Sequence, residues 1–283
     1  MKHNFLSKFD VRKMFPSRDN DSHKGDNGRV CVIGGSIDYY GAPIFAAMGA
    51  VYSGADLVYM FVPESNFDCS RSFYPDYIVR KFSGDFLTEK DLEKIINLAN
   101  KCDSVVVGPG LGDKAETLKA LIKLIAKIEK PLIIDADALK VIHNVKLPYQ
   151  TLITPHRGEF EKVCNAQFPN DLDHQIELVK KTAQILDLQI LVKGQNDIIC
   201  KPDEEYFINN TGNPGMTVGG SGDVLAGFIA GLNAQGATLF ESACIASFCL
   251  GVAGDSLESQ KGFAYSATDL ALEIPYVMKR IVG

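Results

Sequence analysis

The sequence predicts an α/β protein with a mainly parallel central sheet and helices on both faces, arranged in three layers. Three observations predict it. Short aliphatic runs, apolar on both faces, recur along the chain; most of them close on a glycine-marked or charged turn; and a helical pattern follows the turn. No linker, charge block or solenoid-period repeat interrupts the 283 residues, so one domain over 1–283 is expected.

Arg29–Ile33 is the first strand, closed by Gly34-Gly35-Ser36, and Ala42–Gly54 is a helix of small residues suited to packing on a sheet. Leu57–Val62 is the next strand, stopped by Pro63, with a shorter one at Ile78–Phe82. Leu92, Ile95, Ile96 and Ala99 recur at helical spacing behind Thr88, which reads as the cap. Ser104–Val107 leads into Gly108-Pro-Gly-Leu-Gly112 and a helix with Leu118, Leu121, Ile122, Ile125 and Ile128 on one face. Leu132–Ile134 leads into Asp135-Ala-Asp137, Thr151–Ile153 into Thr154-Pro-His156, and Ile190–Val192 into Lys193-Gly194. Ile198–Cys200 and Tyr206–Ile208 read as a hairpin off the main sheet, followed by a glycine-rich segment and three helical stretches.

Composition excludes the unusual classes. The chain is 46% hydrophobic, which rules out disorder, and 29 Lys+Arg against 35 Asp+Glu give a net charge of -6. That balance argues against nucleic acid or an anionic membrane as partner, while leaving room for a local basic pocket. The sequence reading finds no apolar run near the ~18–20 residues of a membrane span, and Met1–Asp10 lacks the apolar core of a signal peptide. Seven cysteines without a Cys-x-x-Cys pair suit free thiols and a cytoplasmic location.

Ligands in open parallel sheets sit beyond the carboxyl ends of the strands. Here those ends carry glycines and ionisable residues, pointing to one polar crevice. The sharpest segment is Asn213-Pro-Gly-Met-Thr-Val-Gly-Gly-Ser-Gly-Asp223, which runs straight into an apolar helix expected to begin at about Asp223. Gly219, Gly220 and Gly222 can bring backbone N–H groups against an anion, and the helix adds its positive end. Asp223 reads equally as an N-cap and as a base that takes a hydroxyl proton. Asp135 and Asp137 read as caps or as a water-mediated metal site, His156 as a helix cap, and Lys193 as a solvated strand end or a nucleotide contact. Gly-x-x-x-x-Gly-Lys-Ser/Thr and Gly-x-Gly-x-x-Gly are both missing, which disfavours a P-loop NTPase and a dinucleotide-binding dehydrogenase.

With those residues in view, the sequence resembles the ADP/ATP-dependent NAD(P)H-hydrate dehydratase family of the ribokinase-like superfamily. The resemblance runs in order through Ser22-His-Lys-Gly-Asp26, Val32–Ser36, Gly41-Ala-Pro43, Val107–Gly112, Asp135–Leu139, Thr154-Pro-His-Arg-Gly-Glu159, Val192-Lys-Gly194, Asn213–Met216 and Gly219–Asp223. It implies a ribokinase-like three-layer sandwich whose substrate is the (6S)-hydrate of NADH or NADPH (NADHX or NADPHX). A nucleotide, ADP in stand-alone bacterial and archaeal members, phosphorylates the added hydroxyl; phosphate is then eliminated and NAD(P)H restored. The resemblance makes Asp223 the base and places Gly219, Gly220, Ser221 and Gly222 at the nucleotide's phosphates. It assigns Lys193, Gly194, Gln195, Asn196 and Asp197 to nucleotide binding, and Ala42, Gly110, His156 and Asp223 to the hydrate. Glu159 is implied to support Mg²⁺ through water. It also implies a symmetric oligomer, a tetramer; with the epimerase domain fused to many relatives expected to be absent, spontaneous epimerisation or a separate NAD(P)H-hydrate epimerase would supply the right hydrate.

The sequence departs from the family pattern at Ser221, where threonine is commoner, at Thr217-Val218, and at Asp56, where a glycine is usual. Two other readings stand beside this one: a small-molecule hydroxymethyl or hydroxyethyl kinase of the same fold, and a non-catalytic nucleotide sensor. Thr154-Pro-His-Arg-Gly-Glu159 in place of Thr-Pro-Asn-x-x-Glu favours the dehydratase over the kinase.

Overall fold

Nine strands form a single sheet in the computed structural model, which describes residues 3–283. The strands are β1 (Arg29–Ile33), β2 (Leu57–Pro63), β3 (Tyr77–Phe82), β4 (Ser104–Val107), β5 (Leu132–Ile134), β6 (Thr151–Ile153), β7 (Gln189–Val192), β8 (Asp197–Cys200) and β9 (Tyr206–Asn209). Their order is β3-β2-β1-β4-β5-β6-β7-β8-β9, with β1 to β7 all parallel. The hairpin of β8 and β9 does not stand apart from the sheet, as the sequence had suggested. It continues the sheet antiparallel to β7, in the register Leu191 with Ile199. Leu6 and Asn4 then bond to Ile208 and cover the outer edge.

The helices are α1 (Lys8–Met14), α2 (Gly41–Tyr52), α3 (Phe67–Phe73), α4 (Leu92–Ala99), α5 (Ala115–Ile125), α6 (Arg157–Cys164), α7 (Leu172–Leu186), α8 (Ser221–Ala234), α9 (Leu239–Lys261) and α10 (Ala267–Val282). Alternate side chains of the parallel strands feed two cores. Val30, Val32, Val106, Ile133 and Leu152 face α2, α8, α9 and α10, while Cys31, Ile33, Val105, Val107 and Ile134 face α4, α5, α6 and α7. This is why the strand runs carry no polar alternation.

Local details differ from the sequence expectations. Thr88 makes no side-chain cap bond; a 3₁₀ turn over Glu89–Asp91 precedes α4. Ile128 lies past the end of α5 yet is buried. The stretch after Asp135 is a nine-residue 3₁₀ helix, Ala136–Asn144. Helix α9 is by length and composition apolar enough to cross a membrane, which the sequence reading missed. Yet 78% of its apolar window is buried in the fold, so in this structure it is a core helix.

Helix α8 sits where it does because glycines let it approach α2. A Cβ on Gly227 would stand 1.7 Å from the Ala46 carbonyl oxygen, closer than any atom can pack. That seam aims the N-terminus of α8 over the carboxyl ends of the central strands.

Candidate active site

The strand order reverses between β1 and β4, and the loops that leave these strands meet there. Gly35 N donates to Pro109 O at 2.8 Å, tying the β1 turn to the β4 turn. Beside this junction a Cβ on Gly110 would lie 3.0 Å from Ala42 Cβ and 2.8 Å from Tyr39 Cβ. Ala42 and Gly110, distant in sequence, are therefore neighbours on one wall of the crevice expected at such a switch point. Asp137 Oδ2 accepts from Gly112 N at 2.8 Å and fixes the far end of the β4 loop. Asp137 is thus a latch and not a helix cap.

The ends of β5, β6 and β7 build the floor. Asp135, 2% exposed, accepts from the Thr154 hydroxyl and from Lys193 Nζ, both at 2.8 Å and both on Oδ1. It makes no cap bond to the helix that follows. Lys193, with a side chain 20% exposed, is consequently no solvated strand end. A Cβ on Gly222 would stand 3.2 Å from its ammonium, so the charge lies against the first turn of α8. Burial opposes that charge, but Asp135, Glu159 and Asp223 outweigh it and raise the Lys193 pKa.

Helix α8 begins at Ser221 rather than at about Asp223. Gly220 takes the N-cap position at φ +97, a conformation that costs glycine little, and no side-chain cap bond is made. The N-cap reading of Asp223 is thereby overturned: it occupies the third helical position, half-buried. Among the described residues its carboxylate makes no hydrogen bond within the protein. Burial first, then the nearby Asp135, Asp137 and Glu159 charges, push it up to about 8 against the pull of Lys193. Gly219 is exposed, whereas Gly220, Ser221 and Gly222 are half-buried at the helix mouth. Ser221 N donates to Val218 O at 3.4 Å, and the remaining free amides of that first turn are of the kind that can receive an anion.

On the next strand ends, His156 does cap α6: its Nδ1 accepts from Gly158 N at 3.0 Å and Glu159 N at 3.3 Å. Glu159 returns the bond, Oε2 accepting from His156 N at 2.8 Å. The imidazole remains exposed, with its Nε2 3.5 Å from Glu159 Oε1. Lys193 N donates to Pro155 O at 2.8 Å, which sets His156 beside Lys193. Gln195 is exposed and Asn196 half-buried in the turn between β7 and β8. The Asp197 carboxylate is directed inward. It accepts from Gly194 N at 3.0 Å, from Asn209 Nδ2 at 3.1 Å and from the Ser247 hydroxyl, and burial raises its pKa. It shapes the Gly194 turn.

Among the described residues no three His, Cys, Asp or Glu converge on one point that could hold a metal ion. Glu159 has one oxygen engaged by its own helix start and the other 3.5 Å from His156 Nε2. This donor set fits a hydrated Mg²⁺ carried on phosphate oxygens, reached through water, and not a cage built by protein alone.

A nine-stranded, mainly parallel sheet with helices on both faces places the chain in the ribokinase-like class. The solved structures agree. A ribokinase-like superfamily protein of Enterococcus faecalis superposes with a TM-score of 0.87 at 27% identity, covering 99% of this chain and 96% of that one. The ADP/ATP-dependent NAD(P)H-hydrate dehydratase of Bacillus subtilis, co-crystallised with ATP/Mg²⁺, superposes with a TM-score of 0.86 at 27% identity over 99% of both chains. Within that class the chain belongs to the NAD(P)H-hydrate dehydratase family, whose family model matches residues 30–276. The ADP-dependent (S)-NAD(P)H-hydrate dehydratase of Cenarchaeum symbiosum is 37% identical over 274 residues, 95% of each chain. The bifunctional NAD(P)H-hydrate repair enzyme Nnr of Methanothermobacter thermautotrophicus is 39% identical over 270 residues. The chain spans about half the length of such bifunctional relatives, 52% in that case.

Sequence reasoning missed three contributors. Thr154 was read only as part of a motif, and its hydroxyl orients Asp135. Asp135 was noticed, but not as the counter-charge of Lys193, which lies 58 residues away. Phe45 presses on Gly220: a Cβ there would meet its ring at 2.5 Å. Nothing in local spacing signals such long-range pairs.

Proposed function

We propose that this protein dehydrates the (6S)-hydrate of NADH or NADPH at the expense of a nucleotide, ADP before ATP. The observation that carries the reading is the placement of Asp223, an unpaired carboxylic acid in the first turn of an anion-binding helix, with Lys193 beneath Gly222. The amides of Gly219–Gly222 and Lys193 hold the transferring phosphate, with Gln195 and Asn196 at the nucleotide's flank. Ala42, Gly110 and the His156 imidazole face the hydrated dinucleotide across the β1–β4 crevice. Asp223 removes the proton from the added hydroxyl as that oxygen attacks the terminal phosphorus, and AMP departs when ADP is the donor. Phosphate then leaves with the C–O bond pair while the ring loses a proton, so hydrate plus ADP becomes NAD(P)H, AMP and phosphate. A pKa near the working pH suits a base that must both take and release a proton.

Mg²⁺ would be held outer-sphere by Glu159 and would neutralise charge on the phosphates. A cytoplasmic location, a homotetramer and supply of the correct epimer by a separate epimerase belong to the same proposal. Purified protein, enzymatically prepared hydrate, Mg²⁺ and either ADP or ATP should restore reduced-nicotinamide absorbance. Folded protein that restores none with either nucleotide sinks the reading.

A further inference from the structure

The segment between β9 and α8 delivers the glycine turn to the site, and one side chain organises it. Asn213 Oδ1 accepts from Gly215 N at 3.0 Å and from the Tyr265 hydroxyl at 2.7 Å. Its Nδ2 donates to Asp255 Oδ1 at 3.2 Å, and the other Asp255 oxygen accepts from Gly212 N at 3.1 Å. Donors and acceptors match throughout, so the amide has one orientation. From there a 3₁₀ turn, Pro214–Thr217, is closed by Met216 N to Asn213 O at 3.1 Å and by the Thr217 hydroxyl to Pro214 O at 2.9 Å. At its far end Gly220 is pressed between Phe45 and Ala267, while the space around Gly219 is open.

Asp255 lies on α9 and Tyr265 just before α10, away from the strand ends. Asp255 is exposed, and among the described residues it has no ion-pair partner; the bonds it accepts come from Gly212 and Asn213. Tyr265 is 4% exposed, and burial raises its pKa, keeping the hydroxyl a donor. We propose that Asp255 and Tyr265 are positioning residues: acting through Asn213, they pin the Gly212–Thr217 segment so that the Gly219–Gly222 amides face the phosphates of a nucleoside diphosphate. This rests on the nucleotide-dependent reading above. A segment left unpinned must be ordered when phosphate arrives, so the loss falls on nucleotide affinity and on transfer rate.

The donor–acceptor pattern makes the pair swappable. Asn213→Asp sets two carboxylates face to face, and Asp255→Asn removes an acceptor from one of two donors. The double variant reverses the polarity of the pair and restores both bonds. Tyr265→Phe removes a single hydroxyl and keeps the ring. Calorimetric titration with ADP in Mg²⁺, with melting temperature and steady-state kinetics alongside, reads the effect. Each single variant should bind ADP about tenfold or more weakly, with a raised nucleotide KM and a lowered kcat and a nearly unchanged melting temperature. The double variant should regain most of the affinity. Single variants that bind ADP as wild type does, or that lose only melting temperature, overturn the proposal, as does a double variant as weak as its parents combined. Wild-type protein that binds neither ADP nor ATP would instead overturn the nucleotide-dependent reading itself.

Discussion

Lys193 Nζ lies 2.8 Å from Asp135 Oδ1, joining the ends of β7 and β5 across the intervening β6, whose Thr154 hydroxyl bonds the same oxygen. With Asp135 2% exposed, the pair is a buried one. Removing one partner strands the other charge. Lys193→Met is therefore expected to destabilise the fold by on the order of 3 kcal/mol. Urea unfolding measures it; a loss within error of zero would show that Asp135 finds water in place of Lys193.

The same lysine tunes the base. Asp223 is pushed up to about 8, with Lys193 pulling it down. The value of kcat/KM for the nucleotide, which reports the free enzyme, should climb with pH to about 8 and then level. Lys193→Met removes the downward pull, so the acid limb should move to higher pH. A limb that stays put would separate Asp223 from the titration.

Asp223 is also a stability liability. Its pKa rises from 3.8 to about 8 on folding, so between those values the folded state keeps a proton that the unfolded chain has lost, and stability falls as pH rises through the window. Asp223→Asn should lose a factor of ~100 or more in turnover. It should melt higher than wild type at about pH 8, with the gain shrinking toward about pH 4. Thermal melts at the two pH values decide it; an Asn variant no more stable at the higher pH would refute the buried-acid account.

Two glycines of one region should behave oppositely. A Cβ at Gly227 would stand 1.7 Å from the Ala46 carbonyl, while at Gly219 nothing lies within 4 Å. Gly227→Ala should prise α8 from α2 and destabilise by several kcal/mol, of order ~3 or more, as overpacking does. Gly219→Ala should melt within about 1 °C of wild type. Equal melting temperatures would mean that the α2–α8 seam relaxes freely.

Much of the fold was readable because the strands are buried on both faces: Ser104–Val107 and Leu132–Ile134 are apolar runs with no competing helical period. The β8–β9 hairpin was found but misplaced, since nothing local to Lys201-Pro-Asp-Glu tells whether a hairpin joins a sheet edge. At the site, the glycine turn before Asp223 and the histidine cap were visible in spacing. The helix start was displaced by two residues, because Asp is a favoured N-cap and Gly220 supplied that position through its backbone alone. Asp135 looked like a cap for the same reason; burial beneath Lys193 is a tertiary fact.

In the proposed reaction, phosphoryl transfer to the hydrate hydroxyl drives elimination at a site based on Asp223. Its most direct measurement is the stoichiometry of one reaction mixture holding enzyme, hydrate, Mg²⁺ and ADP. NAD(P)H, AMP and inorganic phosphate should form in equal amounts, with all three lost together in Asp223→Asn. AMP formed with a stable phosphorylated product and no recovered NAD(P)H, or NAD(P)H recovered without nucleotide consumption, would contradict it.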